Sequence, residues 1–320
     1  MCISQLESAP VVPAPESIAI LVTGRCNATC IYCPYNKGIL NFSEEPSRSE
    51  VERRIAEAST MGVSTLRFSG GEPLIRRDLE DLIAYAAARG MKPSIVTNGS
   101  LLSEARLANL VKAGIQAITL SIDTLDPELY ESLRGLPFSH VRRNLAMFQA
   151  LQRGSDGPWV GLTVVITRHN IGQILEMTES LTKIGIPIQY QPCHSYSEEK
   201  ENSQNQPDPD EVEEVVQALI ERKGKGYLVN NSVRYLEGII DFVRTGCPPA
   251  DFRCRVPWLM AVYDGDMQLR PCCFPLTPIS NSKTDSFQES WNSAEMNGWR
   301  DRIGRMECPG CWLLSLDTWK

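Results

Sequence analysis

Apolar residues fall in short runs, separated by longer stretches in which they recur every three or four positions. The runs are Ile18–Thr23, Thr65–Ser69, Ser94–Thr97, Ala117–Ile122, Val160–Thr167 and Ile186–Gln191. Each is rich in β-branched residues and reads as a strand that is apolar on both faces, as in a buried parallel sheet. Between them lie amphipathic stretches: Ser47–Met61, Asp78–Arg89, Glu104–Lys112, Ser139–Gln152 and Ile171–Lys183. Gly62, Gly90 and Gly114 follow three of these, where helices commonly stop. Alternating strand and helix predicts right-handed βαβ crossovers. The expected fold class is α/β, a partial (β/α)6 TIM-like barrel, with an open doubly wound sheet as the alternative.

The rhythm ends after Pro192. A polar, turn-rich segment, His194–Asp210, leads into two expected helices, Glu211–Arg222 and Ser232–Arg244. Trp258–Phe274 carries two short strands about Asp264–Gly265, a hairpin signal, and Ser286–Met306 has a helical pattern. Four segments follow: 1–17 as a flexible N-terminal lead, 18–193 as the core barrel, 194–245 as linker and bridging helices, and 246–320 as a small C-terminal β-hairpin/helix domain.

Net charge is −7 with a pI near 5.2, so no basic field favours nucleic acid. No apolar run approaches the ~20 residues that span a bilayer. The first residues lack the basic and apolar regions of a signal peptide, so a cytoplasmic location without membrane association is expected. Thiols stay reduced there, and eleven cysteines then point to metal or redox chemistry.

Three of them stand in RCNATCIYCPY, as Cys26, Cys30 and Cys33, just past the first strand. That places them on a βα loop at the strands' C-terminal edge, where α/β barrels carry their chemistry. C-x3-C-x2-C supplies one thiolate fewer than a closed four-ligand site, leaving one metal position open for a ligand. A zinc ion completed by a distant residue is the other reading of the triplet. The next three strands run into SGGEP (Ser69–Pro73), TNGS (Thr97–Ser100) and SIDT (Ser121–Thr124), setting small polar groups on the same rim. Glu72 and nearby carbonyls there are candidate acceptors for an ammonium group.

CNATCIYC, GGEP, TNG and SIDTLDPELYESLRG resemble the radical S-adenosylmethionine (SAM) superfamily, over residues 18 to about 192. The resemblance implies that Cys26, Cys30 and Cys33 ligate a [4Fe–4S] cluster whose unique iron is chelated by SAM. It further implies reductive SAM cleavage to a 5′-deoxyadenosyl radical that removes hydrogen from substrate. By the same likeness Tyr32 lies near adenine, mainly through its backbone. Gly70, Gly71 and Glu72 meet the methionyl amine, and Thr97 or Asn98 and Ser121 hold ribose and methionyl oxygens. Arg134 pairs with the SAM carboxylate, and Ile166 and Thr167 approach the adenine.

A second set, Cys254, Cys272, Cys308 and Cys311, closes a four-thiolate site that spacing alone leaves open between zinc and iron–sulfur. CRVPWLMAVYDGDMQLRPCCF, SFQESWNSAEM and CPGCW resemble Twitch, the short form of the SPASM domain, which implies one auxiliary [4Fe–4S] cluster. Cys273 is an alternative to Cys272. Cys193 and His194, in QPCHS at the sixth strand's end, are candidate catalytic residues, with Arg168–His169 as another source of a base.

The resemblance makes oxidation of a sugar- or cyclitol-like alcohol the leading expectation, with the auxiliary cluster accepting an electron and a flavodoxin- or ferredoxin-type protein donating one. The strand at residue 18 leaves little room for a preceding peptide-recognition domain, so a small molecule is expected over a peptide. Maturation of a ribosomal peptide, redox-neutral decarboxylation, dehydration or epimerisation, and a non-enzymatic electron carrier are the alternatives. Likeness to the GTP-cyclising enzyme of molybdenum-cofactor synthesis is set aside. That family spaces its C-terminal cysteines differently and ends in a Gly/Arg-rich tail.

Overall fold

The computed structural model describes residues 12–34, 45–152, 154, 157–195, 203–273, 276–314 and 317. Most of the expected N-terminal lead, with Cys2, lies outside them. The core runs β1 (Ser17–Thr23), α1 (Arg48–Thr60), β2 (Thr65–Gly70), α2 (Leu79–Ala87), β3 (Lys92–Thr97), α3 (Glu104–Lys112) and β4 (Ala117–Ser121). It continues with α4 (Pro127–Arg134), α5 (Ser139–Gln152), β5 (Trp159–Ile166), α6 (Ile174–Lys183) and β6 (Ile188–Pro192). The six strands run parallel, and the sheet is an open, unclosed partial barrel in the order β6-β5-β4-β3-β2-β1 and onward.

The strands are not apolar on both faces as the runs suggested. Ile18, Ile20, Leu66, Phe68, Ile118, Leu120, Leu162 and Tyr190 are fully buried beneath the helices. Alternate positions face the lumen and are small or polar: Ser69, Ser94, Thr119, Ser121, Gln189 and Gln191, all partly exposed. An open barrel has only one face to bury, so its interior can serve a ligand.

Helix α4 is the element the periodicity missed, although its ends are marked. Asp126 caps it by accepting from the Leu129 amide at 2.8 Å, Pro127 opens the first turn, and Gly135 closes it in the left-handed region. Beyond the barrel come α7 (Pro209–Gly224), α8 (Val233–Thr245), α9 (Val256–Leu259), β7 (Met260–Tyr263) and β8 (Leu269–Arg270). The expected hairpin is β7–β8, but β7 also pairs in parallel with β1, Ser17 opposite Met260 through Ile20 opposite Tyr263. The hairpin therefore continues the barrel sheet as order β1-β7-β8. Its turn is organised by Asp264, whose carboxylate accepts from the amides of Asp266 and Gln268 and from Arg270. Met267, rather than Gly265, carries the positive φ.

The last helical stretch splits into α10 (Phe287–Trp291) and α11 (Ala294–Gly304), because Ser293 caps a new start by accepting from Met296. Arg54 of α1, fully buried, donates to the carbonyls of Ser282, Lys283 and Asp285 and so ties this C-terminal region to the barrel. No helix among the described residues is long and apolar enough to cross a membrane.

Candidate active site and cysteine cavity

The first cysteine loop is held from two sides. Carbonyls at the end of α4 have no helical partner, and those of Arg134 and Leu133 accept from Thr29 (2.9 Å) and Ile31 (3.0 Å) in the loop. Gly135 makes this approach possible, since a Cβ there would lie 1.9 Å from Thr29 Oγ1. On the other side the amide of Gly71 donates to Thr23 O (2.7 Å) and that of Glu72 to Arg25 O (2.8 Å). A Cβ on Gly70 or Gly71 would meet those carbonyls at 2.3 and 2.2 Å. The glycine pair is thus required for strand β2 to close against the cysteine loop.

Within the loop Cys30 is buried, Cys26 exposed and Cys33 between. The Ala28 amide points at Cys26 Sγ at 3.4 Å, Asn98 Nδ2 at 3.9 Å, and Arg134 Nη1 lies 4.0 Å from Cys30 Sγ. Burial pushes the Cys30 thiol up to about 11 against the pull of Arg134, and the neighbouring thiols Cys33 and Cys26 add to the rise. Among the described residues no three His, Cys, Asp or Glu side chains converge on a point that would hold one ion. The thiols instead ring the edge of a cavity of about 200 Å³. Three thiols with N–H donors aimed at two of them fit a polynuclear iron–sulfur group better than a single zinc.

Under the loop lies an ion pair that motif spacing did not reveal. Asp123, with no exposed surface, accepts from Arg134 Nε at 2.8 Å, from the Tyr32 hydroxyl and from the Val165 amide at 3.0 Å. Burial opposes the Arg134 charge, but Asp123 outweighs it and the guanidinium is held well above its usual range. Tyr32 is therefore fixed through its side chain. The signal was present in SID…LRG, where Asp123 and Arg134 bracket α4.

Eight of the ten expected SAM-contact residues line the same cavity as the three cysteines: Tyr32, Gly70, Gly71, Glu72, Thr97, Asn98, Ser121 and Arg134. The Glu72 carboxylate is already engaged, accepting from Thr97 Oγ1 (2.6 Å) and the amides of Asn98 (2.7 Å) and Leu74 (3.0 Å). Burial raises its pKa and these bonds oppose the rise. It works as the brace of the TNG turn. On β5 the walls are Thr163 and Val165, not Ile166 and Thr167. Strand alternation turns Ile166 under the helices and leaves Thr167 Oγ1 bonded to Asn170 at 3.0 Å. Thr163 Oγ1 is buried with no hydrogen-bond partner among the described residues, a polar atom awaiting a ligand.

At the end of β6 the two catalytic candidates part. His194 lines the cavity and Cys193, fully buried, does not. Nε2 of His194 accepts from the Trp312 amide at 2.8 Å, and the ring also bonds the Pro192 carbonyl. Burial lowers its pKa to about 3. Both nitrogens are engaged, so this geometry offers no lone pair to a substrate proton. His169 bonds Asn205 at 3.3 Å and, like Arg168, stands outside the cavity wall.

Trp312 directly follows Cys311, so the same contact joins the cavity to the second cysteine set. Cys254, Cys272, Cys273, Cys308 and Cys311 all line one small cavity, of about 30 Å³, walled by Val256, Leu276 and Ile303. Burial pushes Cys254 up to about 12, opposed by the Val256 amide, and Cys273 and Cys308 raise it further. Cys273 also acts on Cys311. Cys247 is exposed and lies apart from this cavity.

The Radical SAM superfamily model matches residues 20–181, and the chain belongs to that superfamily. Its members use SAM and a [4Fe–4S] cluster. The chain is 29% identical over 297 residues to a probable GTP 3′,8-cyclase of Methanothermobacter marburgensis, covering 89% of this chain and 91% of that protein. It is 34% identical over 171 residues to a PqqA peptide cyclase of Granulibacter bethesdensis, covering 53% of this chain and 45% of that one. The fold resembles that of Streptococcus suis SuiB bound to its precursor peptide SuiA, with a TM-score of 0.73 and 18% identity, over 96% of this chain and 71% of that one. The expectation of a small-molecule substrate over a peptide is overturned by these likenesses to a peptide cyclase and to a peptide-bound enzyme.

Proposed function

We propose that the chain is a peptide-modifying radical SAM enzyme with an auxiliary iron–sulfur cluster of the Twitch type. One observation carries the reading. The cavity beside the first cysteine loop is walled by small polar side chains, and its one cation among the described residues, Arg134, is already bound to Asp123. A triphosphate needs several convergent cations, whereas a peptide backbone needs scattered donors and acceptors such as Ser69, Ser121, Thr163 and Gln191. That supports a peptide reading over nucleotide cyclisation, beside the long match to a GTP cyclase.

Cys26, Cys30 and Cys33 would hold the catalytic cluster, with Asn98 and Arg134 offsetting thiolate charge. When bound, that cluster and SAM supply one-electron cleavage of the sulfonium and hence hydrogen-atom abstraction from substrate. Backbone groups at Gly70 and Gly71 and the braced Glu72 would meet the methionyl amine. Arg134, held in place by Asp123, would meet the carboxylate, and Tyr32, Thr97, Asn98 and Ser121 the adenosyl part. Cys254, Cys308, Cys311 and one of Cys272 or Cys273 would hold the auxiliary cluster, since all five line the one cavity. His194 positions the segment after Cys311 and stays neutral.

Anaerobically reconstituted enzyme, reduced with dithionite, tests the reading against peptide pools deuterated at side-chain carbons, with ribose-deuterated GTP as the control. Deuterium in 5′-deoxyadenosine from peptide alone supports it; label from GTP alone sinks it.

A further inference from the structure

Strand β2 presents Arg67 to the same side as Ser69, which lines the SAM cavity, while Leu66 and Phe68 between and beside them are fully buried under the helices. Arg67 therefore projects into the barrel lumen one lumen-facing position deeper, about 7 Å along the strand. Its neighbours in register are Ala19 of β1 and Ser94 of β3, so small side chains flank it and leave space. Among the described residues it makes no hydrogen bond and no ion pair. Burial depresses its pKa, and among the described residues the thiol of Cys273 is the group whose charge opposes that. Arg67 is partly exposed to the lumen, and a guanidinium that faces a binding cavity with no carboxylate of its own is open to an anionic ligand. The acids nearest the cavity are committed elsewhere, Glu72 to the TNG turn and Asp123 to Arg134.

We propose that Arg67 anchors an anionic group of the substrate, a peptide carboxylate, in the lumen below the SAM cavity. The carboxylate is that of an Asp or Glu side chain or the α-carboxylate that ends a peptide, and planar guanidinium geometry suits either. This inference rests on the peptide reading above. It places substrate between the first cysteine loop and the Cys273 side of the lumen.

The test uses unreduced holoenzyme with SAM bound, prepared without oxygen, as wild type, Arg67→Lys and Arg67→Gln. Equilibrium dialysis measures N-acetylglutamate N-methylamide, N-acetylalanine and N-acetylglutamine N-methylamide, with inorganic phosphate as a fourth probe. Wild type should prefer one of the two carboxylates over the glutamine amide by about tenfold or more. Arg67→Lys should keep part of that preference and Arg67→Gln none, with iron content as in wild type. The carboxylate that wins tells a side-chain anchor from a terminal one. A preference that survives in Arg67→Gln overturns the proposal. So does iron loss in both variants without a changed preference, which assigns the guanidinium to the Cys273 site. Arg67-dependent binding of phosphate alone overturns the carboxylate. A carboxylate preference that persists while no peptide transfers deuterium supports the anchor and overturns the peptide reading instead.

Discussion

The two cysteine sites use the same type of residue in unlike surroundings. Around Cys26, Cys30 and Cys33 the sulfurs meet amides, an arginine and a cavity of about 200 Å³ that spans the strand ends. Around Cys254, Cys272, Cys273, Cys308 and Cys311 they meet Val256, Leu276 and Ile303, and the cavity is about 30 Å³. Three thiols beside a polar pocket suit a site that must admit a second, organic ligand. Four or more thiols in an aliphatic enclosure suit a group that must be sealed from ligands and water. On the proposed reading, the first site would break bonds and the second would store or pass an electron.

The widest test of that contrast removes one thiol from each. Cys30→Ala should halve the iron, from about eight to about four per protein molecule, and drop 5′-deoxyadenosine formation to background. Cys311→Ala should lose a similar amount of iron yet retain SAM cleavage, while net conversion of substrate fails. Iron analysis with product chromatography decides it. Equal loss of SAM cleavage in both variants would erase the distinction.

The first site was far more legible in sequence than the second, and the reason is physical. Its residues lie on the loops that follow consecutive strands, so local spacing in RCNATCIYC, GGEP and TNG already encodes the rim. Asp123 was hidden because its partners, Tyr32 and Arg134, are brought to it by α4, a helix of only eight residues. Thr163 and Val165 were missed in favour of Ile166 and Thr167 because which face of β5 looks inward depends on register with β4, a nonlocal fact. The second site is assembled from a loop, a hairpin end and the tail, and no spacing rule tells Cys272 from Cys273. Nor could the runs reveal that β7 would join β1. That pairing is set by tertiary packing.

Asp123→Asn sharpens the comparison next. It preserves shape but leaves Arg134 buried without its counter-charge, a change worth about 3–5 kcal/mol. Urea unfolding should register that loss, and SAM affinity of the loaded enzyme should fall about 10- to 100-fold. Adding Arg134→Gln should restore part of the stability, because the orphaned charge is gone. The second site, whose lining includes neither Asp123 nor Arg134, should keep its iron throughout.

Gly71→Ala should have a smaller effect confined to the first site. Its Cβ would stand 2.2 Å from the Arg25 carbonyl, and backbone must shift, at about 1–3 kcal/mol. Iron at the first site should load incompletely while the second loads fully. Gly62→Ala, where φ is +88° but nothing lies within 4 Å, is the control. It should destabilise by about 1 kcal/mol and spare both sites.

The smallest effect probes the joint between the regions. His194 has its pKa lowered to about 3, against about 6.5 when unfolded, so the unfolded state binds the extra proton first. Stability contributed by the neutral ring is present above pH 6.5 and is lost as pH falls from there toward 3. Between pH 7.5 and 5.5 wild type should lose about 1.4 kcal/mol more than His194→Gln, since the carboxylates common to both cancel in the difference. Paired urea titrations at the two pH values measure it. If His194 were the base in turnover, the same substitution would move the lower limb of the pH–rate profile. With both ring nitrogens bound to Trp312 and Pro192, that limb should stay where it is while rates fall only through the loosened tail.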